Sequence, residues 1–497
     1  MEIGSLIRQS AQRFGDAPAL ECDDRVLSFR EFDQATDRLG NRLLAEGLRP
    51  GDRVAVMLPN GIECLVTYYA LAKAGLVRVP LNHKDTAVQN SYKLDDADCR
   101  GLLHDGSRPE GGAAVTFTGD ADWLASVTWS GPAQPCYEPR DPDSPYRLGY
   151  TGGTTGLPKA VTLSMRGEHA EVANFLIDLM PDIGPEDTFL HAAPIIHASG
   201  AFFLPCFARG AKNVVMTKFD AAAWLAELQR TRASYSFLVP TMISLVLDVP
   251  GVERADTSSL RRLCWGASAI PPSVAERAQR IFGPVLAQTY GQSEAPMAIT
   301  VLQPDEHVRT GSAGRAYTLM EVAVFDEDDQ PLPTGQVGEV VARGPLLMSG
   351  YWQKPELTAQ TIRDGWLHTG DLGCIDEQGF VFLVDRKNDI IISGGSNVYP
   401  REVEDALNDH PAVREAAVVG IPDETWGEVV HAVVACRSEV TEQELLNFCA
   451  ESVPRHKRPR SLAIWSELPK SPAGKILRRQ VRDVERARLA DDVSGSR

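Results

Sequence analysis

The sequence predicts an α/β protein: a large N-terminal domain of doubly wound sheets with a β-rich subdomain, followed by a small α+β C-terminal domain. Three observations predict it. Strand-like and helix-like segments alternate through the first three quarters of the chain, short apolar runs separated by turns follow from Glu321, and a charged pentapeptide, DRKND, precedes a second alternation. Strand, helix and strand in that order imply parallel pairing and a layered fold.

The first alternation begins at a helix start. Ser28 and Glu31 form a capping-box pattern, and apolar residues follow at helical spacing until Gly47. The segments predicted after it are strands 54–58, 77–81, 213–216 and 236–239 and helices 64–74 and 221–230. Because the same order recurs, the doubly wound pattern is predicted throughout this part of the chain.

From Glu321 the alternation of strands and helices gives way to short β-like runs separated by turns. Runs such as VAVFDEDDQPLPTGQVGEVVARG predict antiparallel strands, and we place a domain boundary in DRKND, giving domains 1–385 and 386–497. Beyond the boundary, Pro400 opens a predicted helix, 416–419 form a strand and Thr441 caps a further helix. A domain of about a hundred residues is in the usual size range.

Charge and composition narrow the class of partner. A hydrophobic share of 43% and a charged share of 24% are typical of a globular protein and exclude disorder and collagen. The net charge of -17 would repel nucleic acid and anionic membranes. We therefore expect a small-molecule partner.

The nine cysteines are scattered and form no C-x-x-C pair, which indicates reduced, mostly buried thiols. The first residues, MEIGSLIRQSAQRFGD, lack the apolar core of a signal peptide, and no stretch has the length of a membrane span. A cytoplasmic location is therefore predicted.

A glycine- and hydroxyl-rich loop, YTGGTTGLPKAV, indicates polyphosphate binding. Its glycines can aim backbone N–H groups inward, its threonines add hydroxyl donors, and its lysine adds positive charge. The spacing differs from that of P-loop NTPases because Leu157 and Pro158 separate the last glycine from the lysine. A flexible surface turn is the alternative. The candidate phosphate-binding residues are Thr151, Gly152, Gly153, Thr154, Thr155, Gly156 and Lys159.

Four further segments follow in a fixed order: QTYGQSEA, WLHTGDLG, DRKNDIIISGGSNVYPREVE and LPKSPAGKILRR. Together with the loop, they resemble the adenylate-forming superfamily of acyl-CoA synthetases, firefly luciferases and nonribosomal-peptide adenylation domains. The resemblance covers nearly the whole chain. It implies that residues 1–385 bind ATP and the acid, and that residues 386–497 form a mobile lid that carries the catalytic lysine.

The resemblance implies a lysine and a metal ligand for the first half-reaction. A carboxylate attacks the α-phosphorus of ATP, and cations must stabilise the crowded negative charge. Lys475 would bridge the carboxylate and the α-phosphate, and Glu294 would help to hold Mg²⁺. A solvated lysine in the tail is the alternative for Lys475.

Further residues are implied at the nucleotide. Asp371 would accept hydrogen bonds from both ribose hydroxyls, a task that suits an ionised carboxylate, with Arg386 beside it. A capping aspartate of a turn is the alternative for Asp371. Tyr290 would stack on the adenine. The remaining nucleotide candidates are Gly266, Ala267, Ser268, Gly291, Gln292 and Ser293, the last standing where threonine is common in the family.

The second half-reaction brings a thiol to the acyl adenylate. The resemblance implies that the small domain swings about Asn388, where aspartate or lysine is usual in the family. Gly394 and Gly395 would then line the tunnel for the pantetheine arm of coenzyme A, with Trp426 and Arg458 in contact with the cofactor. A solvated basic face is the alternative for the cluster around Arg458.

The acid-binding wall is implied to include His197, as a gate between the ATP and acid sites, unless it is a buried core histidine. The other candidates for the wall are Phe202, Trp265, Gly291, Pro296 and Met297. The indole of Trp265 favours an aromatic or medium-length acid. None of these residues offers a positive partner for a second carboxylate, so a diacid is disfavoured.

The resemblance predicts an AMP-forming acid–CoA ligase that uses ATP, Mg²⁺ and coenzyme A. An alternative keeps the adenylation but passes the activated group to a carrier protein or an amine, or activates an inorganic acid such as nitrite. A catalytically silent nucleotide-binding protein would predict changes at Lys475, Glu294 or Asp371, and all three are intact. Monomer and homodimer both stay open.

Overall fold

Three β-sheets organise the chain in a computed structural model that describes residues 3–109, 111–136, 140–151, 158–423, 425–470 and 476–495. Within those ranges, two large sheets belong to the N-terminal part and a five-stranded sheet to a separate C-terminal domain. The prediction of a mixed α/β protein with a small second domain is confirmed.

The strands of the N-terminal part are β1 Pro18–Cys22, β2 Arg25–Ser28, β3 Arg53–Met57, β4 Val77–Pro80, β5 Cys99–His104, β6 Phe117–Gly119, β7 Pro145–Thr151, β8 Lys159–Ser164, β9 Thr188–His191, β10 Lys212–Val215, β11 Tyr235–Leu238, β12 Arg262–Trp265, β13 Leu286–Gln292, β14 Ala295–Leu302, β15 Ser312–Ala316, β16 Glu321–Phe325, β17 Gly338–Arg343, β18 Gly350–Tyr351, β19 Ile362–Arg363, β20 Trp366–Ile375 and β21 Val381–Arg386. Those of the C-terminal domain are β22 Ile391–Ser393, β23 Ser396–Val398, β24 Val413–Asp423, β25 Gly427–Cys436 and β26 Ser461–Trp465.

The α-helices are α1 Ile3–Phe14, α2 Phe29–Ala45, α3 Ile62–Lys73, α4 Ala87–Asp96, α5 Ala121–Thr128, α6 Met165–Asn174, α7 Phe203–Arg209, α8 Ala221–Thr231, α9 Pro240–Leu247, α10 Pro272–Phe282, α11 Pro355–Thr361, α12 Pro400–Asn408, α13 Glu442–Ser452 and α14 Arg478–Gly495. The predicted capping box at Ser28 and Glu31 is present at the start of α2, and Thr441 caps α13 in the same way.

The first sheet has the strand order β18-β8-β7-β4-β3-β5-β6. Its strands β3, β4, β5 and β6 pair in parallel. Helix α3 connects β3 to β4 and helix α4 connects β4 to β5, as the alternation of strand and helix predicts. Strand β8 returns antiparallel to β7, so the predicted phosphate loop connects two neighbouring strands of this sheet.

The second sheet joins a parallel half to an antiparallel half. Strands β1, β10, β9, β11, β12 and β13 pair in parallel, and the strands that follow continue the sheet antiparallel through β15 and β21. The predicted β-rich subdomain is therefore confirmed, as an extension of the doubly wound sheet. Because the parallel strands end at one edge, the loops after β9, β12 and β13 lie near each other.

The small domain packs α12 and α13 on its five-stranded sheet, and their apolar faces share one core. The exact boundary stays a prediction: β21 continues to Arg386, the first residue of the predicted lid, and a short turn, Lys387–Asp389, precedes β22. The tail forms α14.

Two large apolar cores lie in the N-terminal part, one around Phe202 and Trp265 and the other around Phe32 and Phe203. No disulfide joins any of the nine cysteines, all of which lie in described ranges, and seven are buried, as predicted. None of the helices in the described ranges combines the length and the apolar composition that a membrane span needs.

Candidate active site

The ends of the predicted phosphate loop are fixed by strand pairing. Thr151 closes β7 and lies opposite Lys159, which opens β8, and the hydroxyl of Thr151 donates to the carbonyl of Lys159 at 3.4 Å. The predicted phosphate ligands between them lie outside the described residues: Gly152, Gly153, Thr154, Thr155 and Gly156.

Lys159 is connected to the predicted metal ligand through a tyrosine. Its ammonium group donates to Tyr351 Oη at 2.8 Å, and Tyr351 Oη donates to Glu294 Oε1 at 2.7 Å. Burial lowers the pKa of Lys159, and the charge of Glu294 opposes that change. Burial and then Glu294 raise the pKa of Tyr351, so the phenol stays protonated and donates its hydrogen bond to the carboxylate. The three side chains form one hydrogen-bonded line.

A tight hairpin presents Glu294. Strands β13 and β14 pair antiparallel, and Gln292 lies opposite Ala295, so Ser293 and Glu294 form the turn between them. Glu294 is only 8% exposed, whereas Ser293 is exposed. The turn therefore directs the carboxylate inward, towards Tyr351.

Tyr351 was missed by the sequence reasoning. It lies in β18, a strand of two residues that pairs with β8. Such a short strand has no periodicity, and its partners are far away in the sequence. The only signal was the pair of aromatic residues, Tyr351 and Trp352, after Gly350 in the run MSGYW.

The predicted ribose and adenine residues meet directly. Tyr290 Oη donates to Asp371 Oδ2 at 2.6 Å, and Arg386 Nε lies 2.8 Å from Asp371 Oδ1. Asp371 and Arg386 are opposite one another on β20 and β21, so the sheet register brings them together. Burial and then Asp371 raise the pKa of Tyr290. A carboxylate accepts about four hydrogen bonds, so these two partners leave capacity for the ribose hydroxyls.

Close contacts with neighbouring backbone explain why two of the predicted positions carry glycine. A Cβ atom on Gly266 would lie 2.5 Å from the carbonyl oxygen of Thr289, and one on Gly291 would lie 2.5 Å from the nitrogen of Met297. Ala267 and Met297 both have a positive φ, at 71° and 53°. Such strain is frequent at ligand sites, where the surrounding structure holds it in place. Of the remaining predicted residues, Ser268 and Gln292 are half-buried beside these turns.

The predicted gate, His197, is held by Asn82, which follows β4 of the first sheet. Asn82 Nδ2 lies 3.2 Å from His197 Nε2, so the amide donates and the ring nitrogen accepts. Burial lowers the pKa of His197, which favours the neutral ring that this contact requires. The loop that carries it is anchored by His191, whose Nδ1 lies 3.1 Å from Ser199 Oγ.

Three predicted wall residues belong to one apolar cluster. Trp265 and Phe202 are buried in it and Met297 packs against it, with Tyr290 at its edge. Phe202 stacks on Phe189, with ring centroids 4.9 Å apart, which is the packing of a core residue. Pro296 is buried in β14. That these residues contact the acid stays a prediction.

On the small domain, two of the predicted coenzyme A residues meet. The backbone N–H of Gly394 donates to the carbonyl of Trp426 at 2.9 Å, and a Cβ atom at Gly394 would lie 2.4 Å from the indole. The indole is 43% exposed, and the guanidinium of Arg460 lies 4.4 Å from its ring centroid. Gly395 follows with a φ of 79°. An exposed aromatic ring with an adjacent cation is thus present where the cofactor is expected.

Arg458 makes different contacts. Its guanidinium donates to the carbonyl oxygens of Val453 at 2.7 Å and Ala450 at 2.5 Å, so the side chain caps the end of α13. Its predicted contact with coenzyme A stays a prediction.

Lys475 lies outside the described residues, and the structure describes Arg478 three positions later. The guanidinium of Arg478 lies 2.9 Å from Asp385, 3.1 Å from Asp389 and 2.5 Å from Glu404. Burial alone would lower the pKa of Arg478, but Glu404 and the two aspartates raise it well above its ordinary value. The segment after the predicted catalytic lysine is therefore tied to the residues around the predicted hinge, Asn388.

The residues present fit magnesium and a nucleotide. Within the described residues, no group of three or more His, Cys, Asp and Glu side chains could hold a metal ion. One buried carboxylate, Glu294, suits Mg²⁺, which usually takes one or two carboxylates together with substrate phosphates. When bound, the ion would neutralise phosphate charge. The carboxylate of Asp371 and the close backbone at Gly266 and Gly291 fit a ribose and a flat base.

Comparison with known proteins agrees with this geometry. Residues 7–352 match the model of the AMP-binding enzyme family, and residues 402–475 match that of the AMP-binding enzyme C-terminal domain. The medium/long-chain-fatty-acid–CoA ligase FadD8 of Mycobacterium tuberculosis is 38% identical over 89% of this chain and 81% of its own length. A feruloyl-CoA synthase of an Amycolatopsis species is 36% identical over 97% of this chain and 98% of its own.

A solved structure gives the same result. The o-succinylbenzoate CoA synthetase of Bacillus subtilis, in complex with its acyl-adenylate intermediate, superposes with a TM-score of 0.88 at 30% identity, over 96% of this chain and 98% of the other. The resemblance found in the five sequence motifs is thereby confirmed. The chain belongs to the AMP-binding enzyme family of the adenylate-forming superfamily.

Proposed function

We propose that the protein is an ATP-dependent ligase that joins a carboxylic acid, aryl or medium-chain, to AMP and then to the thiol of coenzyme A. The observation that carries the adenylation step is the cluster of Tyr290, Asp371 and Arg386, which offers an aromatic face, a ribose acceptor and a cation at one place. The relatives named as CoA ligases support the second step.

The chain's own groups can perform the first step as follows. Lys159, held by Tyr351 near Glu294, places positive charge beside the phosphates, and Lys475 adds a second cation from the lid. His197, kept neutral by burial, can stand beside the anionic acid without adding a charge of its own. The acid oxygen attacks the α-phosphorus, pyrophosphate leaves, and the cations stabilise the charge that develops.

For the second step, the contact between Gly394 and Trp426 supports a tunnel on the small domain where only a thin arm passes. The thiol attacks the acyl carbonyl and AMP leaves. The alternative acceptors, a carrier protein or an amine, are favoured by one observation: Arg458 is engaged by the end of α13. An inorganic acid such as nitrite would leave the apolar cluster around Trp265 without a role. A cytoplasmic location stays a prediction.

The test is ATP–pyrophosphate exchange over a panel of aryl, medium-chain and long-chain acids, followed by addition of coenzyme A to the best acid. We expect exchange and then thioester. Exchange without thioester formation would indicate an acceptor other than coenzyme A. No exchange with any acid would overturn the proposed function. Lys475→Ala should abolish exchange yet spare thioester formation from preformed acyl adenylate; equal loss of both steps would contradict its assigned role.

A further inference from the structure

Three buried polar atoms, one of them on Trp265 of the predicted acid wall, have no hydrogen-bond partner among the described residues. They are Trp265 Nε1, His307 Nε2 and Gln288 Oε1. A buried indole N–H usually finds a partner, and a buried polar group without one costs about 1–3 kcal/mol. Three such atoms in one neighbourhood therefore indicate that something polar is meant to meet them.

Sheet register and ring packing place the three groups together. Trp265 closes β12 and lies opposite Gln288 of the parallel neighbour β13, so both side chains leave the same face of the sheet. The ring of His307 follows the end of β14, and its centroid is 6.1 Å from that of Trp265, with 40° between the planes. Trp265 itself belongs to the large apolar core against which Met297 and Tyr290 pack.

The protonation of His307 follows from its surroundings. Burial lowers the pKa of His307 to about 4, so the ring is neutral near pH 7. Its hydrogen bond to the backbone of Leu286 raises the pKa in part, as donation to a carbonyl does. Since Nε2 has no partner in the described part of the chain, Nδ1 is the donor and Nε2 presents a lone pair.

The cluster thus offers one donor, the indole N–H, and two acceptors, the imidazole Nε2 and the amide Oε1. A hydroxyl group fits this set because it accepts one hydrogen bond and donates another. A second carboxylate or a ketone could only accept, and it would face the two acceptors with its own lone pairs. A plain hydrocarbon would leave all three groups unpaired.

We propose that the acid that this enzyme activates carries a hydroxyl group, which accepts from Trp265 and donates to His307 or Gln288. The inference rests on the proposed adenylation of an organic acid and adds the substrate class. An aryl acid with a phenolic hydroxyl and an aliphatic hydroxy acid share this chemistry.

The test compares matched pairs in ATP–pyrophosphate exchange: phenolic acids against the same acids without the hydroxyl, and ω-hydroxy against plain medium-chain acids. We expect kcat/KM to be about 10- to 100-fold higher for the hydroxyl member of the favoured pair. The pair that shows the preference identifies the aryl or the aliphatic source.

Two variants connect the preference to the cluster. Trp265→Phe removes the indole N–H and keeps an aromatic ring, and His307→Leu removes the acceptor. Each should reduce the preference to about threefold or less, because the hydroxyl acid loses a hydrogen-bond partner that the plain acid never had. Trp224→Phe is the matched control, because that buried indole donates to Ser236 in the core; it should keep the preference, and thermal unfolding should show that all three variants fold.

Exchange at equal rates for hydroxyl and plain acids would overturn the substrate class while leaving the proposed function intact. A hydroxyl preference that survives both pocket variants would overturn the proposed contact of the hydroxyl with Trp265 and His307. Absence of exchange with every acid would instead reject the proposed function.

Discussion

Lys159 and Tyr351 are 192 positions apart and meet through a 2.8 Å hydrogen bond, with the ammonium group also 4.0 Å from the centroid of the phenol ring. The same hydroxyl donates to Glu294. One tyrosine therefore bridges the lysine of the predicted phosphate loop and the predicted magnesium ligand. The pairing of β18 with β8 holds it in that position.

Tyr351→Phe should weaken adenylation without unfolding the protein. The variant keeps the ring and removes the hydroxyl, which leaves Lys159 and Glu294 without their shared partner. We expect kcat/KM for ATP–pyrophosphate exchange to fall about 10- to 100-fold, as for the loss of a hydrogen bond to charged groups, and the Mg²⁺ concentration at half-maximal rate to rise. Tyr235→Phe is the control, since that hydroxyl contacts Arg261 in a different part of the fold. Equal rates in the two variants would remove Tyr351 from the site.

Asp371→Asn should impair recognition of the ribose. The amide keeps the shape but loses the charge that pairs with Arg386 and one of the acceptor oxygens. We expect KM for ATP to rise about 10- to 100-fold. The wild type should strongly prefer ATP over 2′,3′-dideoxy-ATP in the exchange assay, whereas the variant should discriminate little. A variant with undiminished discrimination would show that the ribose is bound elsewhere.

Arg478→Ala should disturb both stability and the balance between the half-reactions. Removing the guanidinium leaves three carboxylates close together, which costs about 3–5 kcal/mol by analogy with broken buried ion pairs. Because Asp385 lies on the other side of the predicted boundary, we also expect pyrophosphate exchange and thioester formation from preformed adenylate to change by different factors.

Arg478→Lys, which keeps the charge, should recover part of both properties, as measured by urea unfolding and by the two assays. Equal change of the two half-reactions in Arg478→Ala would indicate a purely structural role for the residue.

His191 should make stability depend on pH. Its Nε2 donates to Asn213 Oδ1, and its Nδ1 lies 3.1 Å from both the carbonyl oxygen and the hydroxyl of Ser199. Burial lowers the pKa of His191 to about 4 although these contacts oppose the change, so the folded protein holds the neutral ring near pH 7. The unfolded chain binds a proton below about pH 6.5 and the folded chain does not. The free energy of unfolding should therefore fall as the pH drops from 6.5 towards 4, by up to about 1.4 kcal/mol per pH unit from this group.

Urea unfolding at pH 7.0 and 5.5 checks this expectation. His191→Gln should show a shallower dependence on pH than the wild type, although its stability at pH 7.0 is expected to be lower. An unchanged slope in the variant would show that His191 does not titrate between the folded and unfolded states.

The alternation of strands and helices, the capping boxes of α2 and α13 and the five motifs could be predicted from the sequence, because periodicity, turn residues and spacing are local properties of the chain. Asp371, Arg386 and Tyr290 were found through the resemblance of their motifs to those of the adenylate-forming superfamily. The contacts between these three residues depend on the register of β20 against β21 and on the strand order that puts β13 in the same sheet.

Tyr351, Arg478 and His307 were not predicted as functional residues, since their roles depend on partners far away in the sequence. A two-residue strand places Tyr351 between Lys159 and Glu294, and the packing of α14 brings Arg478 to Asp385. The sequence alone determined the family and the residue types that the chemistry needs. Only the tertiary structure decided which groups meet, because hydrogen bonds and ion pairs depend on distances that chain folding, and not chain order, establishes.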